Sequence, residues 1–532
     1  MNRDIQKVGI HFNMKNIDNI TMLKHYAALL KEEKNALLQQ EYELNCTESF
    51  REKSKIVQQS LRGKRLNERL NHIAKLLKHR RQSPYLHYFR EKSKAVDSKK
   101  TVQQLTKLSE QQQFMDVPYA RQMAKKAARF GLFEQASVYL EQVVKRVEVT
   151  FEDAFNLNVY YLLQGNHEQA RNWEQHAQAL YDEQQHAHFF SADGYKKYVI
   201  QKTADYTLEF YKWKGVARGA VAAFDTVELT RKQALFSKYY VNNQQLDIVA
   251  LRRNRMNYFY ENLTQAHYKT MTQAIFSNYA NTYAYGTSLA GYGAVYYGAV
   301  IPNVRILAFA PRNSGHPQYG IKRKITFEHE LQLPTVTAPV TLLLDLKNDT
   351  DRVYYYEQLK PALVNCTFLP IYYAGHRVPR YLKETGCLRT TFEQFFADEP
   401  IALTSIREQR RESPEYFTIL AEELRKHHHY RWAIQASEQA LRLSQGFDRP
   451  LYQQALAWQA LGRLDEAVRC LEEALANNTM LIKVTYLLSD LYNELQQPEK
   501  ALDVLSILAE HHQSKSLTNR LHKAEQLRIQ LQ

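Results

Sequence analysis

A small residue returns at a fixed interval near the C-terminal end of this sequence. In "HHHYRWAIQASEQAL", "ALGRLDEAVRCLEEAL" and "LQQPEKALDVLSILAE" the equivalent alanine is Ala433, Ala467 and Ala501, 34 positions apart each time. A period of that length holds two antiparallel helices, and an alanine recurring at one phase marks where they approach too closely for a larger side chain. Such units bury their apolar faces only on their neighbours, so this part of the chain must stack rather than collapse into one globule. A second run of the same spacing lies upstream, in "RFGLFEQASVYLEQVV" and "LLQGNHEQARNWEQHAQAL". There Gly131/Ala136 and Gly165/Ala170 recur at the same interval.

The pattern resembles the tetratricopeptide repeat, with three units in register from about 414 to 512 and two from about 118 to 184. The resemblance implies a protein or peptide partner held along a concave face. Between Ala170 and Ala433 the separation is not a whole number of steps, so a different unit is inserted. There the runs "ARGAVAAF", "LDIVAL", "NTYAYG", "VRILAFAP", "VTLLLDL" and "TFLPIYYAG" read as strands, with amphipathic helices between several of them. Continuously apolar strands separated by helices predict a parallel sheet covered on both faces. The expected architecture is multidomain, with all-α arrays flanking a central α/β domain. Its parts are a basic helical region at 1–110, repeats at 111–195, the α/β domain at 196–405 and a C-terminal array at 410–532.

A chain of 532 residues is long enough for several cores. It contains no run of about 18 apolar residues, and its opening residues lack the apolar stretch of a secretory signal, so a cytoplasmic location is expected. Cys46, Cys366, Cys387 and Cys470 show no metal-ligand spacing, and neither a metal nor a cofactor is expected. The net charge of +15 is concentrated in residues 51–100, which hold 16 Lys/Arg against 4 Asp/Glu. Leu66, Leu70, Ile73, Leu76 and Leu77 make this stretch a basic amphipathic helix. Peripheral contact with an anionic membrane and binding of an anionic polysaccharide both remain open for it, as does a merely solvated face. Nucleic acid is not expected, because no reader motif accompanies the charge.

The segment "TYAYGTSLAGYGAV" runs from a strand pattern straight into a helix pattern, with Ser288 in the corner between Gly286 and Gly291. A turn that sharp leaves the hydroxyl exposed at the sheet edge and aims the N–H of Leu289, at the start of the helix, toward the same point as an oxyanion donor. The segment resembles the nucleophile elbow of α/β-hydrolases, in the esterase and acyltransferase branch, with Ala290 where that family usually has glycine. The resemblance implies the chain order serine, acid, histidine. On that order Asp349 would be the acid and His376 the base, with Asp351 the alternative acid on the same loop. It further implies a second oxyanion donor at Asp225 or Thr226. Arg312, directly after a strand, is a candidate for contact with an anionic substrate group. The reaction so implied is acyl transfer through Ser288, in an esterase, a deacetylase or an O-acyltransferase acting on a polysaccharide or glycoconjugate. The alternative is a non-catalytic interaction scaffold built on a hydrolase-derived domain.

Overall fold

The computed structural model describes residues 117–235, 240–241, 244–320, 325–444 and 448–532. The N-terminal region 1–110, with the basic stretch 51–100 and Cys46, lies outside them. The chain divides after Glu148 into two units. In the first, α1 (Val117–Arg129) and α2 (Phe133–Val144) form a helical hairpin in which Ala136, Tyr139 and Val143 are fully buried.

The second unit opens with another hairpin, α3 (Phe151–Gln164) and α4 (His167–Leu180). Thr150 caps α3 by accepting the N–H of Asp153, and Asn158 donates across the pair to the Ala170 carbonyl at 2.7 Å. An eight-stranded sheet follows. It comprises β1 (Tyr195–Lys202), β2 (Tyr206–Trp213), β3 (Gly219–Phe224), β4 (Leu246–Arg253), β5 (Thr282–Thr287), β6 (Val304–Phe309), β7 (Val340–Leu344) and β8 (Cys366–Pro370), in the order β1-β2-β4-β3-β5-β6-β7-β8. Strands β3 to β8 are mutually parallel where they pair, but β2 runs antiparallel to both β1 and β4. The sheet is therefore mixed rather than parallel, and β1 and β2 are strands that the sequence pattern does not announce. They carry Lys196, Lys197, Glu209 and Lys212 instead of a continuous apolar run, so they read as polar segments.

Those charges are tolerable because they are paired. Lys212, buried in β2, donates to Glu174 of α4 at 2.8 Å and to Asp247 of β4 at 2.9 Å. Asp247 also accepts from the Trp213 N–H and the Tyr279 hydroxyl. Glu209 accepts from Arg231 at 2.5 Å and from the Tyr211 hydroxyl at 2.6 Å. A buried charge left without such partners would cost several kcal/mol. The tyrosines beside the elbow, Tyr283, Tyr285, Tyr292, Tyr296 and Tyr297, are all buried in the sheet core, where Tyr283 and Tyr285 meet Phe396 and Phe392 edge-on.

Helices α5 (Gln265–Phe276), α6 (Leu289–Tyr296), α7 (Asp349–Tyr354), α8 (Val378–Glu384) and α9 (Leu388–Ala397) accompany the sheet. The chain then returns to paired helices: α10 (Pro414–Lys426), α11 (Tyr430–Leu443), α12 (Asp448–Ala460), α13 (Leu464–Asn477), α14 (Ile482–Glu494), α15 (Pro498–Ala509) and α16 (Lys515–Leu531). Their starts keep the 34-residue interval, at 414, 448 and 482 for first helices and 430, 464 and 498 for second helices. Ala433, Ala467 and Ala501 are all fully buried, as are Ala440 and Ala474, each about two turns further on from Ala433 and Ala467. Each therefore sits where a second helix meets its neighbours.

Candidate functional site

The strands diverge between β3 and β5: the chain leaves β3 for β4 on one side, and β5 for β6 on the other. In open α/β sheets the crevice at the carboxyl ends of strands beside such a reversal is where ligands bind. Ser288 follows β5 there, and its backbone sits at φ 53°, ψ −122°, a conformation rarely adopted by residues with a side chain. What holds it is local. Its N–H donates to the Phe309 carbonyl at 3.0 Å, and its carbonyl accepts from Tyr292 at 2.9 Å and from Arg312 at 3.1 Å. Gly286 permits the turn because a Cβ there would lie 2.1 Å from the Ala290 carbonyl oxygen. A side chain on Gly291 would press on Pro311 at 3.0 Å. Ala290 itself is accommodated, buried in the first turn of α6.

The histidine arrives from the opposite direction. His376 lies on the loop after β8, and its Nε2 is 2.8 Å from the Ser288 hydroxyl. Its Nδ1 meets Asp351, at 2.7 Å to Oδ2 and 3.0 Å to Oδ1. Asp349 does not take part. Its carboxylate is 61% exposed and pairs with Arg352 at 2.8 Å and Lys426 at 3.8 Å, whereas Asp351 is 3% exposed. The correction has a simple cause. Residues two apart on a helix face nearly opposite sides, and the phase of α7, capped by Asn348 through the Asp351 N–H, turns Asp351 inward. Arg312 lines the cleft beside Ser288, yet its Nη1 donates to Asp351 Oδ1 at 3.0 Å, so it holds that carboxylate in place.

The cleft encloses about 470 Å³ and is lined by Thr226, Val227, Ser288, Arg312, His376 and Arg377 among others. Leu289 is the first residue of α6, so its N–H has no acceptor within the helix and lies next to the serine. The expectation for Asp225 concerns its backbone N–H, whereas its side chain has a structural part. Its buried carboxylate accepts from Arg252 Nε at 2.8 Å and from the Arg253 N–H at 2.8 Å, tying β3 to β4. Thr226 does line the cleft.

Sequence reasoning missed Asp345, at the end of β7. Its carboxylate accepts the N–H of Lys347 at 2.8 Å and that of Gly375 at 2.8 Å, fastening the acid loop to the histidine loop. Burial pushes this carboxyl up to about 6, against the two N–H groups that favour its charge, with Glu423 and Asp351 adding to the rise. The signal in the sequence was an aspartate closing the apolar run "TLLLDL". Among the described residues no group of His, Cys, Asp and Glu is arranged to hold a metal ion, and no helix is long and apolar enough to cross a membrane.

Residues 449–473 match the tetratricopeptide repeat family model. That stretch covers nearly all of α12 and the first part of α13. No curated protein matches the chain. Among solved structures the chain is similar to the crystal structure of the P58(IPK) TPR domain, at 10% identity over 91% of this chain and 98% of that one, with a TM-score of 0.25. It is similar also to the crystal structure of yeast Tom70, at 12% identity over 95% and 96%, with a TM-score of 0.22. Scores that low transfer neither a fold nor a partner. On helices α11 to α13, Leu441, Arg442, Trp458, Glu466, Arg469 and Glu473 help to line an open groove of about 630 Å³. Its mixture of both charges with one indole suits a protein or peptide ligand.

Proposed function

We propose that this protein is a serine acyl-transfer enzyme of the α/β-hydrolase type, an esterase, deacetylase or O-acyltransferase, whose tetratricopeptide array engages a protein partner. The observation that carries the reading is the unbroken relay from Ser288 through His376 to Asp351, at 2.8 and 2.7 Å. His376 Nε2 is placed to take the serine proton as the oxygen attacks an acyl carbon. Asp351 orients the imidazole and stabilises the imidazolium that forms. The tetrahedral oxyanion would meet the N–H of Leu289, at the positive end of α6. Collapse expels the alcohol, which takes its proton from His376, and water or an acceptor hydroxyl then attacks the acyl-serine by the same route. The anionic polysaccharide acceptor suggested by the basic stretch rests on residues 51–100, outside the described structure.

The second reading is a non-catalytic interaction scaffold, favoured by the family match within the array. A fluorophosphonate probe separates the two. Acyl transfer requires wild-type protein to be labelled at Ser288, with labelling lost in Ser288→Ala and His376→Ala. Folded wild-type protein that stays unlabelled, while a known serine esterase reacts alongside, would leave the scaffold reading standing.

A further inference from the structure

We infer that the second oxyanion donor is the backbone N–H of Val227, and that Arg253 is the positioning residue that aims it. The inference rests on the acyl-transfer reading of Ser288. Arg253 ends β4, and its side chain is fully buried with no carboxylate hydrogen-bonded to it among the described residues. It is instead surrounded by main-chain carbonyls. Nε donates to Tyr258 at 2.6 Å, Nη1 to Thr226 at 2.6 Å and to Leu229 at 3.1 Å, and Nη2 to Met256. An arginine fork with its donors distributed over four carbonyls holds two loops in one geometry, the stretch after β3 and the stretch after β4.

The consequence for the cleft follows from peptide geometry. The described residues contain no cis peptide, so the Thr226 carbonyl and the Val227 N–H lie on opposite sides of one planar unit. Arg253 draws that carbonyl into the protein interior, and the N–H of Leu229 also donates to it at 3.2 Å. The Val227 N–H is thereby turned away from the interior, toward the cleft that Val227 lines together with Ser288 and His376. Asp225 is held in the same manner, since its carbonyl accepts the Tyr260 hydroxyl at 3.0 Å while its carboxylate grips β4. This loop is therefore set before any substrate arrives, the condition under which an oxyanion donor is effective.

The hydrogen bond from Leu229 to Thr226 makes residues 226–229 a β-turn with Val227 at its second position. Proline is favoured there and has no N–H, so Val227→Pro deletes the donor while suiting the turn. With p-nitrophenyl acetate and the full chain, Val227→Pro should lower kcat about 10²-fold or more with KM changed little, as loss of one oxyanion donor does. Arg253→Lys, which cannot span four carbonyls, should lower kcat by up to about 10²-fold on the folded fraction. Should proline unfold the protein, an amide-to-ester replacement at Val227 removes the same N–H with the side chain intact. Wild-type kcat in folded Val227→Pro or in the ester variant overturns the donor assignment, and wild-type kcat in folded Arg253→Lys overturns the positioning role. Wild-type protein that neither turns over the ester nor reacts with a fluorophosphonate overturns the acyl-transfer reading itself, and the donor with it.

Discussion

Asp349 and Asp351 stand two positions apart, and the difference between them is measurable. On the acyl-transfer reading, Asp351→Asn removes the carboxylate facing His376 and should lower ester turnover by about 10⁴-fold, the cost of losing a triad acid. Asp349→Asn should change it little, because that carboxylate is exposed and pairs with Arg352 and Lys426 rather than with His376. Parallel turnover measurements on the two folded variants check this, and equal losses would mean that the loop, not the inward carboxylate, is what matters. Asp345 supplies a pH test. Its folded value of about 6 lies above the ordinary 3.8, so the folded chain binds the extra proton between about pH 4 and 6. Its contribution to stability is accordingly most favourable at low pH, falls as pH rises through that window, and stays low above it. The difference amounts to about 3 kcal/mol at most. Relative to Asp345→Asn, wild-type protein should lose stability between pH 4 and pH 7, and a melting difference independent of pH would contradict the raised value.

Between elements, two contacts decide how helices meet their neighbours. Lys212→Met leaves Asp247 buried without its cation and should destabilise the junction of α4 with the sheet by about 3–5 kcal/mol, seen as a lower melting temperature of the full chain. Ala467→Arg forces a long cation between α13 and its neighbours, where Ala467 is fully buried with Leu471, Leu488 and Leu491 in the same cluster. Several kcal/mol of destabilisation should follow, and hydrogen exchange in α12 to α14 should accelerate. Unchanged exchange would show that position 467 does not face the helix contact. The element pattern was legible in the sequence wherever burial is apolar, as in the alanine register and in the runs that became β3 to β8. It was illegible in β1 and β2, because Glu209 and Lys212 are buried by pairing with residues far away in the chain. No local periodicity reports such a partner.

At the scale of the molecule, the candidate site and the C-terminal array are joined by hydrogen bonds. Glu384, at the end of α8, accepts the Ser413 hydroxyl at 2.6 Å and the Glu415 N–H at 2.9 Å, where α10 begins. Arg380, which lines the cleft, reaches both Glu384 and Glu415 at 3.0 and 3.6 Å. The helix directly after His376 is thus anchored on the first helix of the array. Glu384→Ala should free two donors at that junction, at about 1–3 kcal/mol each where they stay buried. Exchange should then rise at the start of α10 and in α8 together, and ester turnover should fall as the histidine loop loses its anchor. A rise confined to α10 would mean that the array and the site are mechanically separate.

The sequence by itself was enough to place Ser288 on a tight strand-to-helix turn, and the hydrolase resemblance brought forward Asp349, with Asp351 as the alternative, and His376 as its downstream candidates. The sequence also determined the 34-residue register of the array. The turn and the register depend on neighbours within a few residues, or on a repeat of the chain's own pattern, and side-chain size and periodicity record both. Only the tertiary structure decided which aspartate faces His376, since that depends on where α7 lies relative to the loop after β8, which its local cap at Asn348 does not specify. The same holds for Asp345 and Arg253, whose partners are main-chain groups of other loops. Backbone carbonyls and N–H groups are identical at every position, so no sequence can say which of them a buried carboxylate or guanidinium will find.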